Sequence, residues 1–162
     1  LTLEKFMHGA GQEMGKRAGT ENTMGIVGLG KACEIANRDL QKNMTHMKEM
    51  RDQLYEGLQR EIKRIRLNGH PVKRLPNTLN LSFPDLEANQ ILEEIGLEVA
   101  ASAGAACHSD RVEISHVLKA MNVPLNDAKG TLRFSVGKMT TPEEIDKAVG
   151  VIAEAVKMRR DW

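Results

Sequence analysis

Every residue from Val99 to Cys107 is Val, Ala, Ser, Gly or Cys, and the run ends in His108, Ser109 and Asp110. A segment with no large side chain to anchor it can present a mobile thiol. The neighbouring imidazole of His108 favours the thiolate, which is the form that attacks. The competing reading is a small hydrophobe packed where two elements cross, the usual place of a lone cysteine; the polar tail argues against burial that deep. Cys107, His108, Asp110 and His116 also carry metal-binding atoms, but their spacing matches no standard zinc pattern and no metal is expected.

Two further groups could handle an anion. Arg133 sits in a stretch where alternation sends Leu132, Phe134 and Val136 to the core and Thr131, Arg133 and Ser135 to the polar face. A guanidinium held on a strand can take a carboxylate through two parallel hydrogen bonds, although an arginine by itself is more often half of a weak surface ion pair. Residues 8–20 hold four glycines, with Lys16 and Arg17 between them, and run into Thr20. Loop amides, a hydroxyl and the start of a helix together make an anion site. The alternative is that Gly15 and Gly19 only shape a turn, and the stretch lacks the spacing of a nucleotide-binding P-loop. Cys33 falls on the apolar side of a helix as a core residue, and His8, His46 and His70 are read as structural or exposed.

These groups need elements to hold them. A helix starts near Asn22, with Ile26, Leu29, Cys33 and Ile35 at helical spacing and Thr20, Asn22 or Thr23 as its cap. Beyond Asn37 and Arg38 a second, long amphipathic helix carries Leu40, Met44, Met47, Leu54, Leu58, Ile62 and Ile65 as one buried stripe. After the turn cluster Asn68-Gly69-His70-Pro71, residues 78–83 alternate as a strand with Leu79, Leu81 and Phe83 inward. A short helix from Ala88 to Ile95, a short strand from Glu98 to Ala101, a helix from Ser115 to Met121 and a strand from Thr131 to Val136 follow. Thr140-Thr141-Pro142-Glu143-Glu144 starts the last helix, with a threonine cap, Pro at the first helical position and acids in the first turn. Ile145, Val149, Ile152 and Val156 form its inner face. The order predicts an α+β fold, a small antiparallel-rich sheet with helices packed on one face and a long amphipathic helix ahead of it.

Composition bounds the possible functions. The 162 residues carry 23 Lys+Arg against 22 Asp+Glu, with 41% hydrophobic and 28% charged, as in a globular domain rather than a disordered chain. Balanced charge leaves no footprint for a phosphate backbone, and aromatic residues at 3% supply few stacking platforms, so no nucleic acid is expected as a partner. No apolar run is long enough to span a bilayer and no signal-peptide core opens the chain, so a cytoplasmic polypeptide with no membrane association is expected. Cys33 and Cys107 are too few for a disulfide framework. Starting at Leu1, directly ahead of the Gly-rich stretch, the chain reads as a piece that begins in the middle of something.

Four blocks, HGAGQEMGKRAGTEN, NGHPVKRLPNTLNLSFP, SAGAACHSD followed by ISHVLKAMNV, and GTLRFSVGKMTTPEEIDKAV, resemble in order and spacing the C-terminal part of the pyridoxal-phosphate-dependent cysteine desulfurases and selenocysteine lyases, in the class V aminotransferase group. The resemblance covers nearly the whole chain. It implies the small C-terminal domain of a fold-type I enzyme over residues 22–162, a Gly-rich loop from the large-domain and dimer-interface region over residues 1–21, and a cofactor-binding large domain absent from these residues. It implies that Cys107 is the nucleophile that takes the substrate's sulfur as a persulfide and leaves alanine, with His108 as a modulator of the thiol. By the same resemblance Arg133 binds the substrate carboxylate, and Thr20 reaches the phosphate of pyridoxal phosphate held by the partner subunit of a homodimer. The small-residue run suits a thiol that must meet its substrate and then a sulfur-acceptor or scaffold protein.

The match has departures. Ala10 and Met14 stand where the family has a glycine and an arginine. Ala106 and His108 flank the cysteine as in selenocysteine lyases, whereas the nine-residue step from Cys107 to His116 resembles the longer loop of the desulfurases that feed iron-sulfur assembly. L-cysteine is the favoured substrate and L-selenocysteine the second. A non-enzymatic dimerisation or interaction module ranks third, and a metal-dependent hydrolase built on Cys107, His108, Asp110 and His116 last. The lysine that holds the cofactor covalently is expected outside these residues, leaving this chain inactive alone.

Overall fold

The computed structural model describes residues 4–103, 105–108 and 111–160, with backbone pairing alone for 105–108 and 111–113. The chain divides into two compact units, Leu1–Gln41 and Lys42–Trp162.

In the first unit the Gly-rich stretch closes on itself: Gln12 pairs with Arg17, and Gln12 N donates to Arg17 O at 2.9 Å. Helix α1 (Thr23–Glu61) follows, its first turn capped by Asn22 Oδ1, which accepts from Gly25 N at 3.0 Å. The break expected at Asn37 and Arg38 is absent, and α1 is one helix of 39 residues. Neither residue interrupts the backbone ladder, so a drift in the apolar stripe was not a chain break. Cys33 is exposed rather than in a core, and so are Met24, Val27 and Leu29. Helical spacing says which residues share a face, not what covers it. Among the described residues no helix is long and apolar enough to cross a membrane.

The second unit holds the sheet. After the C-terminal part of α1 come β1 (Arg66–Leu67), β2 (Thr78–Ser82), α2 (Ala88–Ile95), β3 (Ser102–Ala103), β4 (Ala105–His108), β5 (Arg111–Ile114), α3 (His116–Ala120), α4 (Leu125–Lys129), β6 (Thr131–Ser135) and α5 (Pro142–Arg160). Strands β1-β2-β6-β3 form one antiparallel sheet, and β4 and β5 form a separate antiparallel pair. Leu79 lies opposite Phe134 and Leu81 opposite Leu132, giving the sheet its apolar face. Against that face pack Leu54 and Leu58 of α1, Ile91 and Ile95 of α2, and Ile145, Ile152 and Val156 of α5, all buried. Each such side chain contributes about 1.5–3 kcal/mol by leaving water. This is the α+β layer that the alternation and the helical stripes predict.

Three local differences have physical causes. The strand expected over Glu98 to Ala101 begins later, at Ser102, because Glu98 N and Val99 N both donate to Ile95 O and spend that segment turning off α2. The run of small residues is not an open loop throughout: residues 105–108 pair with 111–114 as β4 and β5. Helix α4 was not expected, and it covers residues that alternation had sent outward. The start of α5 is as read from the sequence. Thr141 N donates to Glu144 Oε2 at 2.9 Å and Glu144 N donates to Thr141 Oγ1 at 3.3 Å, a reciprocal cap. Thr141→Ala is expected to cost about 1 kcal/mol, seen as a lower denaturant midpoint with an unchanged slope; an unmoved midpoint would refute the cap.

Candidate functional site

The polar face of the sheet carries the anion-binding candidate. Asn80 lies opposite Arg133 across β2 and β6, Thr78 lies opposite Ser135, and Ser102 of β3 flanks Arg133 on its other side. The other face of β6 is buried through Leu132 and Phe134, which fixes the backbone from which Arg133 projects. Arg133 is exposed, and its Nη2 reaches only Ser102 Oγ, at 3.5 Å. No carboxylate pairs with it among the described residues, whereas Arg66 pairs with Asp127 at 2.8 Å and Arg159 with Glu94 at 2.5 Å. Among the described residues Arg133 is thus not half of a surface ion pair. A pocket of about 350 Å³ opens beside it, lined by Asn68, Arg74, Asn80, Ser115 and Leu118 among others.

A buried polar chain supports this face from behind. Asn68 Nδ2 donates to Asn80 Oδ1 at 2.9 Å and to Ser82 Oγ at 2.8 Å. Ser82 Oγ lies 2.7 Å from Thr131 Oγ1, which donates to Asp127 O at 2.9 Å. Thr131 has one hydroxyl proton and spends it on Asp127, so Ser82 is the donor to Thr131. Asn68, Ser82 and Thr131 are all buried, and although Asn68 Oδ1 has no partner among the described residues, a buried hydrogen-bonded chain of this kind favours one register. That register is the one that sets Asn80 opposite Arg133. Sequence reasoning placed Ser82 and Thr131 on an exposed polar face and missed Asn68 and Arg74; the available signal was the turn cluster at Asn68-Gly69, where Gly69 has φ +85°.

Cys107 and His108 lie on β4, paired with Val112 and Arg111. Cys107 is five residues beyond Ser102, and a chain that long spans at most about 17 Å. The thiol-bearing residue thus follows directly from the strand that flanks Arg133. Asp110 lies outside the described residues, and His116 is exposed at the start of α3, whose cap is Ser115 Oγ accepting from Val117 N. Among the described residues no three of His, Cys, Asp and Glu gather to hold a metal.

Thr20 belongs to the first unit. It is exposed, follows Gly19 at φ +92°, and makes no hydrogen bond among the described residues. Arg17 is not available to an anion there, because it pairs with Glu21 and Glu13 and donates to Gly19 O at 2.8 Å. Of the departures in this loop, Met14 sits at φ +56° and is exposed. The histidines read as structural or exposed have local work: His46 Nε2 lies 2.8 Å from Thr140 O, and His70 Nδ1 accepts from Val72 N and Lys73 N.

Residues 4–148 match the aminotransferase class-V family. The chain is 41% identical over 162 residues to the cysteine desulfurase IscS of Methanosarcina thermophila, covering 99% of this chain and 40% of that protein. It is 42% identical over 161 residues to cysteine desulfurase 2 of Trichormus variabilis, again covering 99% of this chain and 40% of the relative. Among solved structures, a NifS-like protein superposes with a TM-score of 0.81 at 33% identity, covering 98% of this chain and 40% of that one. A NifS-like protein from Rickettsia africae gives 0.80 at 26% identity, covering 97% and 41%. The chain thus spans about 40% of the length of the curated relatives it matches.

Proposed function

Because the chain belongs to the aminotransferase class-V family, we propose that it is the substrate-carboxylate-binding and sulfur-accepting part of a pyridoxal-phosphate-dependent cysteine desulfurase. The observation that carries this is Arg133: a guanidinium on a strand whose other face is buried, with no acid paired to it among the described residues, opening on a pocket next to the strand that leads into Cys107. The relatives named cysteine desulfurase support the substrate class.

The donor set fits both ends of the chemistry. The hydroxyl of Thr20, exposed after a glycine turn and not engaged among the described residues, suits a cofactor phosphate supplied across a homodimer interface. Pyridoxal phosphate, when bound, supplies the electron sink for breaking the substrate's carbon-sulfur bond. Arg133 takes the substrate carboxylate in two parallel hydrogen bonds, and the buried strand beneath it prevents that orientation from being lost. His108 shifts Cys107 toward its thiolate. The Cys107 sulfur bonds to the substrate sulfur as the carbon-sulfur bond breaks, and the proton given up by the thiol ends on the product carbon. L-cysteine and a thiol become L-alanine and a persulfide, with no outside oxidant. The persulfide then passes to an acceptor protein, for iron-sulfur cluster assembly or a related use, in the reducing cytoplasm. The covalent lysine lies, on this reading, outside these 162 residues, and the chain alone does not turn over cysteine.

The test uses the complete reading frame that contains this chain, with alanine and sulfide measured from L-cysteine and alanine and selenide from L-selenocysteine. Arg133→Lys keeps a charge but loses the bidentate fork, so KM for L-cysteine is expected to rise about tenfold or more with a smaller change in kcat. An unchanged KM removes Arg133 from the substrate site. Faster turnover of selenocysteine than cysteine transfers the assignment to selenium.

A further inference from the structure

The pocket beside Arg133 contains a second guanidinium that forms no ion pair among the described residues. Arg74 lies in the segment before β2, is half-buried and lines the same pocket of about 350 Å³. Its Nη2 donates to Asn68 O at 3.0 Å, and its Nε is buried with no hydrogen-bond partner among the described residues. Arg17, Arg38, Arg51, Arg64, Arg66 and Arg159 each pair with a carboxylate. Arg74 and Arg133, like Arg60 and Arg160, form no ion pair among the described residues; what sets the first two apart is that they share a pocket, whose described lining includes no Asp or Glu.

Withdrawing a guanidinium from water with no acid to meet it costs free energy. Burial, joined by the charge of Arg51 and only partly opposed by Tyr55 and Asp52, holds the Arg74 pKa below the usual arginine value, yet an arginine so placed is still a cation at neutral pH. The position is also built rather than incidental. Arg74 is clamped to the carbonyl of Asn68, and the Asn68 side chain orients Asn80, the cross-strand neighbour of Arg133. One residue therefore ties the second cation to β2, the strand paired with the one that carries the first.

We propose that Arg74 is a second anion-binding residue of this pocket, so that the carboxylate of a small amino acid is held in the joint field of Arg74 and Arg133. The proposal rests on the reading of Arg133 as the carboxylate ligand and adds the residue that makes the pocket reject amines lacking a carboxylate.

The probes are L-alanine and ethylamine, the same skeleton without its carboxylate, titrated into the 162-residue chain while the amide resonances of Asn80, Ser102 and Arg133 are followed. L-alanine is expected to shift these resonances and ethylamine to leave them in place. Arg74→Gln is expected to weaken L-alanine binding about tenfold or more, as loss of a charged partner does, and Arg74→Lys to stay within a few-fold of the parent. Arg74→Met replaces the glutamine variant if that one is too unstable to titrate. A folded Arg74→Gln or Arg74→Met chain that binds like the parent, while Arg133→Gln does not bind, overturns the role of Arg74 and leaves Arg133 standing. Loss of no binding in Arg133→Gln, or equal response to ethylamine, overturns the carboxylate reading itself.

Discussion

Replacing Cys107 by alanine is expected to reduce sulfur transfer from L-cysteine by at least about a thousandfold, the scale on which a covalent nucleophile is lost. The argument is one of place and of chemistry. The sulfur must leave the substrate onto another sulfur, and β3, which flanks Arg133, leads within five residues to Cys107. The other cysteine, Cys33, sits on exposed α1 in the first unit and has no such strand behind it. Cys33→Ala is therefore expected to leave transfer intact. The measurement is mass analysis of the complete enzyme after brief exposure to L-cysteine: a gain of one sulfur atom on the peptide containing Cys107 in the parent and in Cys33→Ala, and none in Cys107→Ala. If Arg133 binds the carboxylate as proposed, independently of the thiol, the substrate should still bind to Cys107→Ala. A Cys107→Ala enzyme that still turns over at the parent rate removes the nucleophile assignment.

The parts of the molecule that sequence made legible are those whose cause is local. Helix α2 runs over the same residues as expected, Ala88–Ile95, because its apolar spacing and its end at a glycine lie within one window. The start of α5 is set by Thr141, Pro142 and Glu144, three neighbours that bond to each other. Cys107 stood out for the same reason, since an unbroken run of small residues is visible without any contact being known. What escaped depends on residues far apart in the chain. Helix α4 is five residues long, too short for periodicity to show, and so the burial of Thr131 and Ser82 beneath that region could not be anticipated from alternation alone. What draws attention to Arg133 is that no acid pairs with it in space among the described residues, and Arg74 comes to the same pocket through a turn at Gly69 that folds it back toward Asn68.

Gly130→Ala should produce the largest loss of stability of any Gly→Ala change among the described glycines, about 2–4 kcal/mol, through overpacking against backbone. Gly130 has φ −91°, which alanine accepts freely, so conformation is not the obstacle. A Cβ there would press into Phe83 O and lie 2.7 Å from Leu86 O. Those carbonyls are backbone atoms at the end of β2, held by Phe83 N donating to Gly130 O at 3.0 Å and Leu86 N donating to Phe83 O at 3.3 Å. Relief requires β6 to move away from β2. That movement would stretch the Ser82–Thr131 hydroxyl contact and slide Arg133 off Asn80, so the variant should lose affinity for L-alanine as well as stability. Gly150 provides the contrast: it lies exposed within α5 with no atom within 4 Å of an added Cβ. There alanine should raise stability by about 0.5–1 kcal/mol through helix propensity. Denaturant midpoints of the two variants decide the matter, since equal midpoints would mean that the β2–β6 approach at Gly130 does not control the register on which Arg133 depends.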